Sequence, residues 1–348
     1  MWRVAVADMS FRRRRFIITV LAAALVFAMT LLTSGANAAL QHQDRSIVDS
    51  FQADRWFVAA GSSGPFTTST PIPASTAEEV TALPGITRAN PVVLFRATVD
   101  DDGPRDVNVV ATPPNGLGAP TLASGRQPNE TGEIVVDTAL DSGAGSTLNV
   151  GGHSMLVVGT AKNASYYFGT PTVFMTLADA QANFFGFLPL ASAIVAQGEP
   201  SGEVAGLRGL TIEQVRDDLK RPTKRSEETI QFINLLLWIA AVGIVGSIVY
   251  LSAIERVREF AVMKATGASN ASLLVGLAIQ AIVLSLASAI LAAVMARLMS
   301  PGFPFEVRVT AGTYVALLIV AVIVGLVASG AGLRRAVKVD PALAFGGS

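Results

Sequence analysis

Five charged side chains, Glu255, Arg256, Arg258, Glu259 and Lys264, crowd into one short segment that closes on Gly267. The chemistry open to them is ion pairing with a partner, not bond breaking. The chain has no cysteine to serve as a thiolate or metal ligand, and its only two histidines, His42 and His153, stand far apart in sequence. No lysine is followed by Ser or Thr, so the chain lacks a phosphate-binding loop and cannot be its own P-loop ATPase. These features lead us to expect no catalytic residue, no metal and no bound cofactor. At about 100° per helical residue, Glu255, Arg256, Arg258 and Glu259 share one side of a helix, and Val257, Phe260 and Ala261 share the other. Such a helix can lie along a membrane interface and show its charges to another protein. Gly267 is placed to end it in the left-handed conformation, and Ser269 or Asn270 to cap the next helix. Spacing alone leaves open an ordinary juxtamembrane loop.

The flanks decide where this elbow sits. There is no charge from Thr229 to Ile254 and none from Ala265 to Ala296. Each run exceeds the roughly 20 helical residues that cross a hydrocarbon core of about 30 Å. The elbow therefore joins two spans on one membrane face. Two further apolar runs, about Phe16 to Ala36 and about Tyr314 to Leu333, complete a set of four. Arg12 to Arg15 precede the first, and Arg334, Arg335 and Lys338 follow the last, which places both ends in the cytoplasm by the positive-inside rule. A cleavable signal peptide is the alternative for the first run, because Ala36-Asn-Ala38 has the form of a cleavage site. The run is longer than a usual signal core. With 51% hydrophobic and 15% charged residues in 348, the chain is too apolar for an ordinary soluble enzyme and too long for one domain. No span carries an ionisable residue in its middle, which argues against an ion-coupled transporter.

From about Leu40 to Arg225 the character changes. Short β-rich runs (Trp56 to Ala60, Val92 to Val99, Val107 to Ala111, Ile134 to Val136, Met155 to Val158) alternate with helix starts at Thr76, Thr176 and Thr211, each followed by an acidic or amide residue suited to a capping box. This predicts a folded α+β domain outside the membrane. Asp100 to Asp102 with Asp106 lack calcium-loop spacing and read as a hairpin turn at Gly103. Ser226 is placed to cap a helix that runs unbroken into the second span. Phe184, Phe185 and Phe187 form a dense apolar cluster, either core or a candidate contact for substrate or lipid.

The stretch Glu255-Arg-x-Arg-Glu-x-Ala-x-Met-Lys-Ala-x-Gly-Ala268 resembles the elbow after the second transmembrane helix in FtsX-like permeases, the MacB/DevC type of ABC transporter membrane subunit. Gly132-Glu-Ile-Val-Val-Asp-Thr-Ala-Leu140, Val150-Gly-Gly-His-Ser-Met-Leu-Val-Val-Gly159 and the ending Arg334-Arg-Ala-Val-Lys-Val-Asp-Pro-Ala-Leu343 are similar to the same family. The resemblance implies four transmembrane α-helices with a large extracytoplasmic α+β domain, of the MacB-like periplasmic core type, between helices 1 and 2. The expected boundaries are an N-terminal cytoplasmic or interfacial segment at 1–15, helix 1 at 16–39, and the outer domain at 40–225. A stalk and helix 2 follow at 226–254, then the elbow at 255–269 and helix 3 at 270–299. An outer loop at 300–312, helix 4 at 313–333 and a cytoplasmic tail at 334–348 complete the chain.

It further implies a separate cytoplasmic ABC ATPase that holds the ATP and magnesium, docked through Glu255, Arg256, Arg258, Glu259, Lys264 and Gly267. A second permease copy would make an assembly of two permeases and two ATPases in a bacterial cell membrane, with no nucleic acid involved. The expected function is export, or extraction from the outer leaflet, of an amphiphilic or peptide-like compound by mechanical transmission. The alternatives are an FtsX-like regulator of a cell-wall hydrolase without transport, and a membrane-anchored sensor without an ATPase.

The topology is checkable because the chain has no cysteine. A Ser142→Cys variant should react with an impermeant thiol reagent in intact cells and a Ser269→Cys variant should not; the reverse pattern would overturn it.

Overall fold

Strand β1 (Arg55–Ala59) shows how the sheet is buried: Trp56 and Val58 enter one core, while Phe57 between them enters another. Alternation with period two sends successive side chains to opposite faces. The same division recurs in β3 (Ile86–Asp100), where Val92 and Val93 part company, and in β6 (Glu133–Asp137), where Val135 faces away from Ile134 and Val136. Both faces are therefore covered. The computed structural model describes residues 13–255, 262, 267, 269–302 and 309–337, apart from Asp102, Asn163 and Phe168.

The chain divides into two compact units, Leu40–Ser226 on one side and Met1–Ala39 with Glu227–Ser348 on the other. In the first, β4 (Pro104–Thr112), β5 (Leu122–Gly125), β7 (Thr147–Val150), β8 (His153–Ala161), β9 (Thr172–Thr176), β11 (Ala193–Gly198) and β12 (Leu207–Thr211) join the strands above. The ten-stranded sheet has the order β12-β1-β11-β3-β4-β9-β6-β8-β5, with β7 paired to β3 and β8, and a separate ladder pairs β2 (Ile72–Pro73) with β10 (Leu190–Ala191). Only β4 with β9 and β6 with β8 are parallel; the remaining pairs are antiparallel. Strand β3 spans 15 residues, pairing with β11 through Val92 and with β4 from Val93 onward. The acidic run is a hairpin turn, with Asp100 opposite Pro104 and Gly103 at φ +131°.

One face of this sheet carries a single core containing Trp56, Val92, Val110, Val135 and Val195. The other face carries two, one around Val80 and Ile194 and one around Val107, Ile134 and Met155. Helix α1 (Arg13–Ser50) brings Ile47 and Val48 to the single core, with Phe51 just beyond its end; α4 (Ile212–Lys220) brings Val215 and Leu219. Short helices α2 (Thr76–Thr81) and α3 (Leu177–Phe184) serve the opposite side.

Capping follows the sequence at two of the three expected starts. Thr176 accepts from the Asp179 amide, and Thr211 with Gln214 makes a full capping box. Thr76 differs. It is the first helical residue after Ser75, and its hydroxyl donates to the Pro73 carbonyl at 2.7 Å instead of capping. Ser226 differs as well, because α5 (Lys224–Glu255) already begins two residues earlier.

Among the described residues, the second unit is built from helices: the first part of α1, α5, α6 (Asn270–Met299) and α7 (Ala311–Val337). Along α1, Ala23, Ala24, Phe27, Ala28, Leu31 and Leu32 are buried at helical spacing, while Ile17, Ile18, Leu21, Leu25 and Met29 on the other side are exposed. The buried set packs with Ala241, Ala281, Leu284, Ala292 and Leu317. Among the described residues, three helices are long and apolar enough to cross a membrane, and a shorter apolar stretch lies at Ala311–Val320. Polar groups also cross between helices here. The Thr33 hydroxyl lies 3.2 Å from Asn234 Oδ1, and Asn234 Nδ2 donates to Ser34 Oγ at 2.9 Å.

The first helix departs most from expectation. It does not stop near Ala39 but runs to Ser50, because no Gly or Pro intervenes between Gly35 and Ala53. Its last residues anchor in the core through Phe51, whose ring meets Trp56 edge-on at 4.7 Å. Phe51→Ala should destabilise this unit by about 3–5 kcal/mol. Denaturant unfolding of the full-length chain in detergent, followed at Trp56 after replacing Trp2 and Trp238 with Phe, gives the value. A loss below about 1 kcal/mol would show that the residue does not anchor the core.

Candidate coupling sites

At the elbow, α5 ends at Glu255 and α6 begins at Asn270. Gly267 has φ +97°, in the left-handed region open to glycine, and Ser269 caps α6 by accepting from the Ser272 amide at 3.2 Å. Gly267 is exposed. Arg256, Arg258, Glu259 and Lys264 lie outside the described residues.

The aromatic segment separates into two parts that the sequence treats as one. Phe184 closes α3 with its ring 4.7 Å from Phe95 and 5.3 Å from His153, and Phe185 meets Phe95 edge-on at 6.0 Å. Both pack against the core that holds Met155. Phe187 is different. Its side chain is 81% exposed and its backbone sits at φ +63°, while neighbouring Leu188 is 56% exposed. The turn is well supported: the Phe187 amide donates to the Gln181 carbonyl at 2.9 Å, and Gln181 Nε2 donates to the Leu190 carbonyl at 2.9 Å. A left-handed non-glycine residue costs about 1–3 kcal/mol. Here that strain presents an aromatic ring to the outside with no packing return, which marks Phe187 and Leu188, and not Phe184 or Phe185, as the contact candidates.

A third site escaped the sequence reading. In the Leu40–Ser226 unit, the end of α1 is fixed by packing and by two polar links, one of them buttressed by a further hydrogen bond. Gln43 Nε2 donates to the Ser165 carbonyl at 2.5 Å, Ser165 Oγ donates to Asp137 at 2.5 Å, and Arg216 Nη2 donates to Asp49 at 2.6 Å. The last pair is partly exposed and contributes little by itself. Packing of Ile47, Val48 and Phe51 dominates. Their i, i+1, i+4 spacing continued the helix past the apolar span and was the available signal.

Around this seam, Asp218 is fully buried and accepts from the Phe66 amide at 2.8 Å and from the Thr67 hydroxyl, holding that loop against α4. The Arg96 guanidinium lies 5.1 Å over the Tyr167 ring. Burial pushes the Tyr167 hydroxyl up to about 12, against the opposing pull of Arg96, and burial raises Tyr166 as well. These phenols stay neutral and structural. Elsewhere Glu133 is held down at about 2 by its hydrogen bonds from Arg126, with the Asn129 and Glu130 amides adding to the effect. It ties a loop and sits in no catalytic arrangement. No group of three or more metal-binding side chains occurs among the described residues.

Comparison with known proteins covers the whole length. Residues 16–219 match the family model of the MacB-like periplasmic core domain, and residues 231–341 match that of the FtsX-like permease C-terminal region. The chain is 38% identical over 345 residues to an uncharacterised ABC transporter permease of Mycobacterium tuberculosis, covering 99% of both proteins. It is 21% identical over 349 residues to the "Putative hemin transport system permease protein HrtB" of Staphylococcus epidermidis, covering 98% of each. Among solved structures, the periplasmic region of MacB from Actinobacillus actinomycetemcomitans aligns with 48% of this chain and 92% of its own, at 10% identity and a TM-score of 0.36.

The split within the aromatic segment has a direct consequence. Phe185→Ser should cost about 2 kcal/mol of stability, because it removes apolar surface from the core, whereas Phe187→Ser should stay within about 0.5 kcal/mol. Denaturant midpoints of the full-length variants decide it; equal losses would return Phe187 to the core.

Proposed function

Because the chain belongs to the family of FtsX-like ABC transporter permeases with a MacB-like periplasmic core domain, we propose that it exports or extracts an amphiphilic or peptide-like substrate by transmitting mechanical work. The chain is a permease subunit and its family implies an ATPase partner. On this reading two permeases and two cytoplasmic ATPases assemble in a bacterial cell membrane. Each permease has four spans and both termini inside, and ATP with magnesium stays on the ATPases. A relative named for hemin transport supports the amphiphilic class, since that name denotes a flat, largely apolar cargo.

The observation that carries the proposal is the continuity of α1 and α5. Each is one unbroken helix that includes an apolar, membrane-length stretch and continues to a site of contact chemistry. Helix α1 reaches the core of the Leu40–Ser226 unit, and α5 reaches Glu255 at the elbow. A helix transmits displacement along its axis because its backbone bonds are satisfied internally. The charged elbow receives the ATPase stroke, and the outer unit delivers it to the substrate. Phe187 and Leu188 offer apolar contact there to substrate or lipid.

Glu255 and Glu259 are four residues apart in sequence, a spacing at which like charges cost an isolated helix roughly 0.2–0.5 kcal/mol. Docking against a cationic groove would offset this. Glu259→Lys should therefore weaken ATPase binding or permease-dependent ATP turnover while leaving membrane insertion intact. Complex yield and turnover after reconstitution are the measurements, and unchanged values in both would remove Glu259 from the contact.

A further inference from the structure

Asn234 stands within the charge-free run of α5, and both ends of its amide are engaged by consecutive residues of α1. Asn234 is partly buried in an apolar stretch of helix, where a side-chain amide gains from finding partners in the protein. The Thr33 end of this contact is built for release. Its hydroxyl has one hydrogen and three oxygens in reach: Asn234 Oδ1 at 3.2 Å, the Met29 carbonyl at 3.0 Å and the Thr30 carbonyl at 3.1 Å. When Asn234 leaves, the hydrogen turns back to its own helix and nothing on that side is orphaned.

A second observation points to where Asn234 would go. Asn37 lies three residues beyond Ser34 and four beyond Thr33, one turn further along the same face of α1. Its Oδ1 is buried and has no hydrogen-bond partner. An unsatisfied buried carbonyl is uncommon in a folded protein and calls for an explanation. We infer that Asn234 is a two-station latch, resting on Thr33 and Ser34 in one register and donating to Asn37 Oδ1 in a second register one helical turn away. Packed helices move between discrete registers, because side chains cannot interdigitate at intermediate positions. Around the latch the side chains of α1 are small (Ser34, Gly35, Ala36), and the large buried knobs Phe27, Leu31 and Leu32 re-seat one turn along when the register changes.

Each station satisfies the Asn234 amide donor, so the two registers lie close in energy and a modest bias selects between them. The latch itself stands on the geometry of α1 and α5. Its driver, the ATPase stroke, rests on the function proposed above.

The test uses distances between spin labels on the full-length chain in lipid nanodiscs, diluted with unlabelled protein so that only pairs within one chain are read. Labels go on Leu21→Cys and Phe232→Cys, both exposed and neither a member of the latch. A one-turn slide of 5.4 Å should appear as two populations separated by about 4–5 Å. Asn37→Leu, which keeps the branching at Cγ and removes the second acceptor, should abolish one population, and Thr33→Val with Ser34→Ala should deplete the other. Adding the ATPase and Mg-ATP should shift the balance. A single distance that Asn37→Leu leaves unchanged would overturn the latch, as would a nucleotide-driven shift that survives Asn37→Leu. Two populations governed by Asn37 yet indifferent to ATPase and nucleotide would uphold the latch and overturn the transmission reading instead.

Discussion

The backbone hydrogen-bond ladder of α1 is the constraint on which the rest depends. In apolar surroundings every peptide group must be satisfied within the segment, and a helix achieves this whatever its neighbours are. That freedom lets one helix serve two environments. Its first part buries alanines among other helices and exposes Ile17, Leu21 and Leu25; its last part inserts Ile47 and Val48 into a sheet core. The ladder stops at Gln52, whose φ of +52° turns the chain into β1. Trp56 then meets Phe51, so the helix end and the first strand share one packing contact.

Polar and apolar contributions divide the labour between holding and switching. Burying large side chains supplies most of the strength at the α1 seam, where a phenylalanine is worth several kcal/mol and a half-exposed ion pair under one. The Asp49–Arg216 pair and the Gln43–Ser165 bond fix direction more than strength. Within the helical unit the balance reverses. Alanines make up much of the packed surface there, and the Asn234 amide with its hydroxyl partners provides the specific contact.

The strands at Trp56, Val107, Ile134 and Met155 were legible because alternation and β-branched residues mark a two-faced sheet, and Thr176 and Thr211 because their caps are local. Thr76 misled for a local reason too: Ser75 precedes it, and a Pro73 carbonyl lies within reach of its hydroxyl. The length of α1 was harder, since hydropathy ends at about Ala39 while helical spacing continues in a polar sequence whose partners are far away in the chain. The elbow charges were conspicuous in sequence, with Gly267 and Ser269 behaving as local chemistry dictates. The division between Phe185 and Phe187 could not be read, because two consecutive left-handed residues, Gly186 and Phe187, decide which ring is covered.

Strand β3 carries a consequence for cooperativity. It pairs with β11 over its first half and with β4 over its second, and its residues contribute to all three cores of the Leu40–Ser226 unit. The back of the sheet is divided in two, but neither half can open alone without stripping hydrogen bonds from a strand the other half still needs. Local opening of such a sheet is coupled to global unfolding, so amide protection along β3 should approach the stability of the whole unit. The unit therefore answers a pull on α1 as one solid body up to the force at which all of it melts.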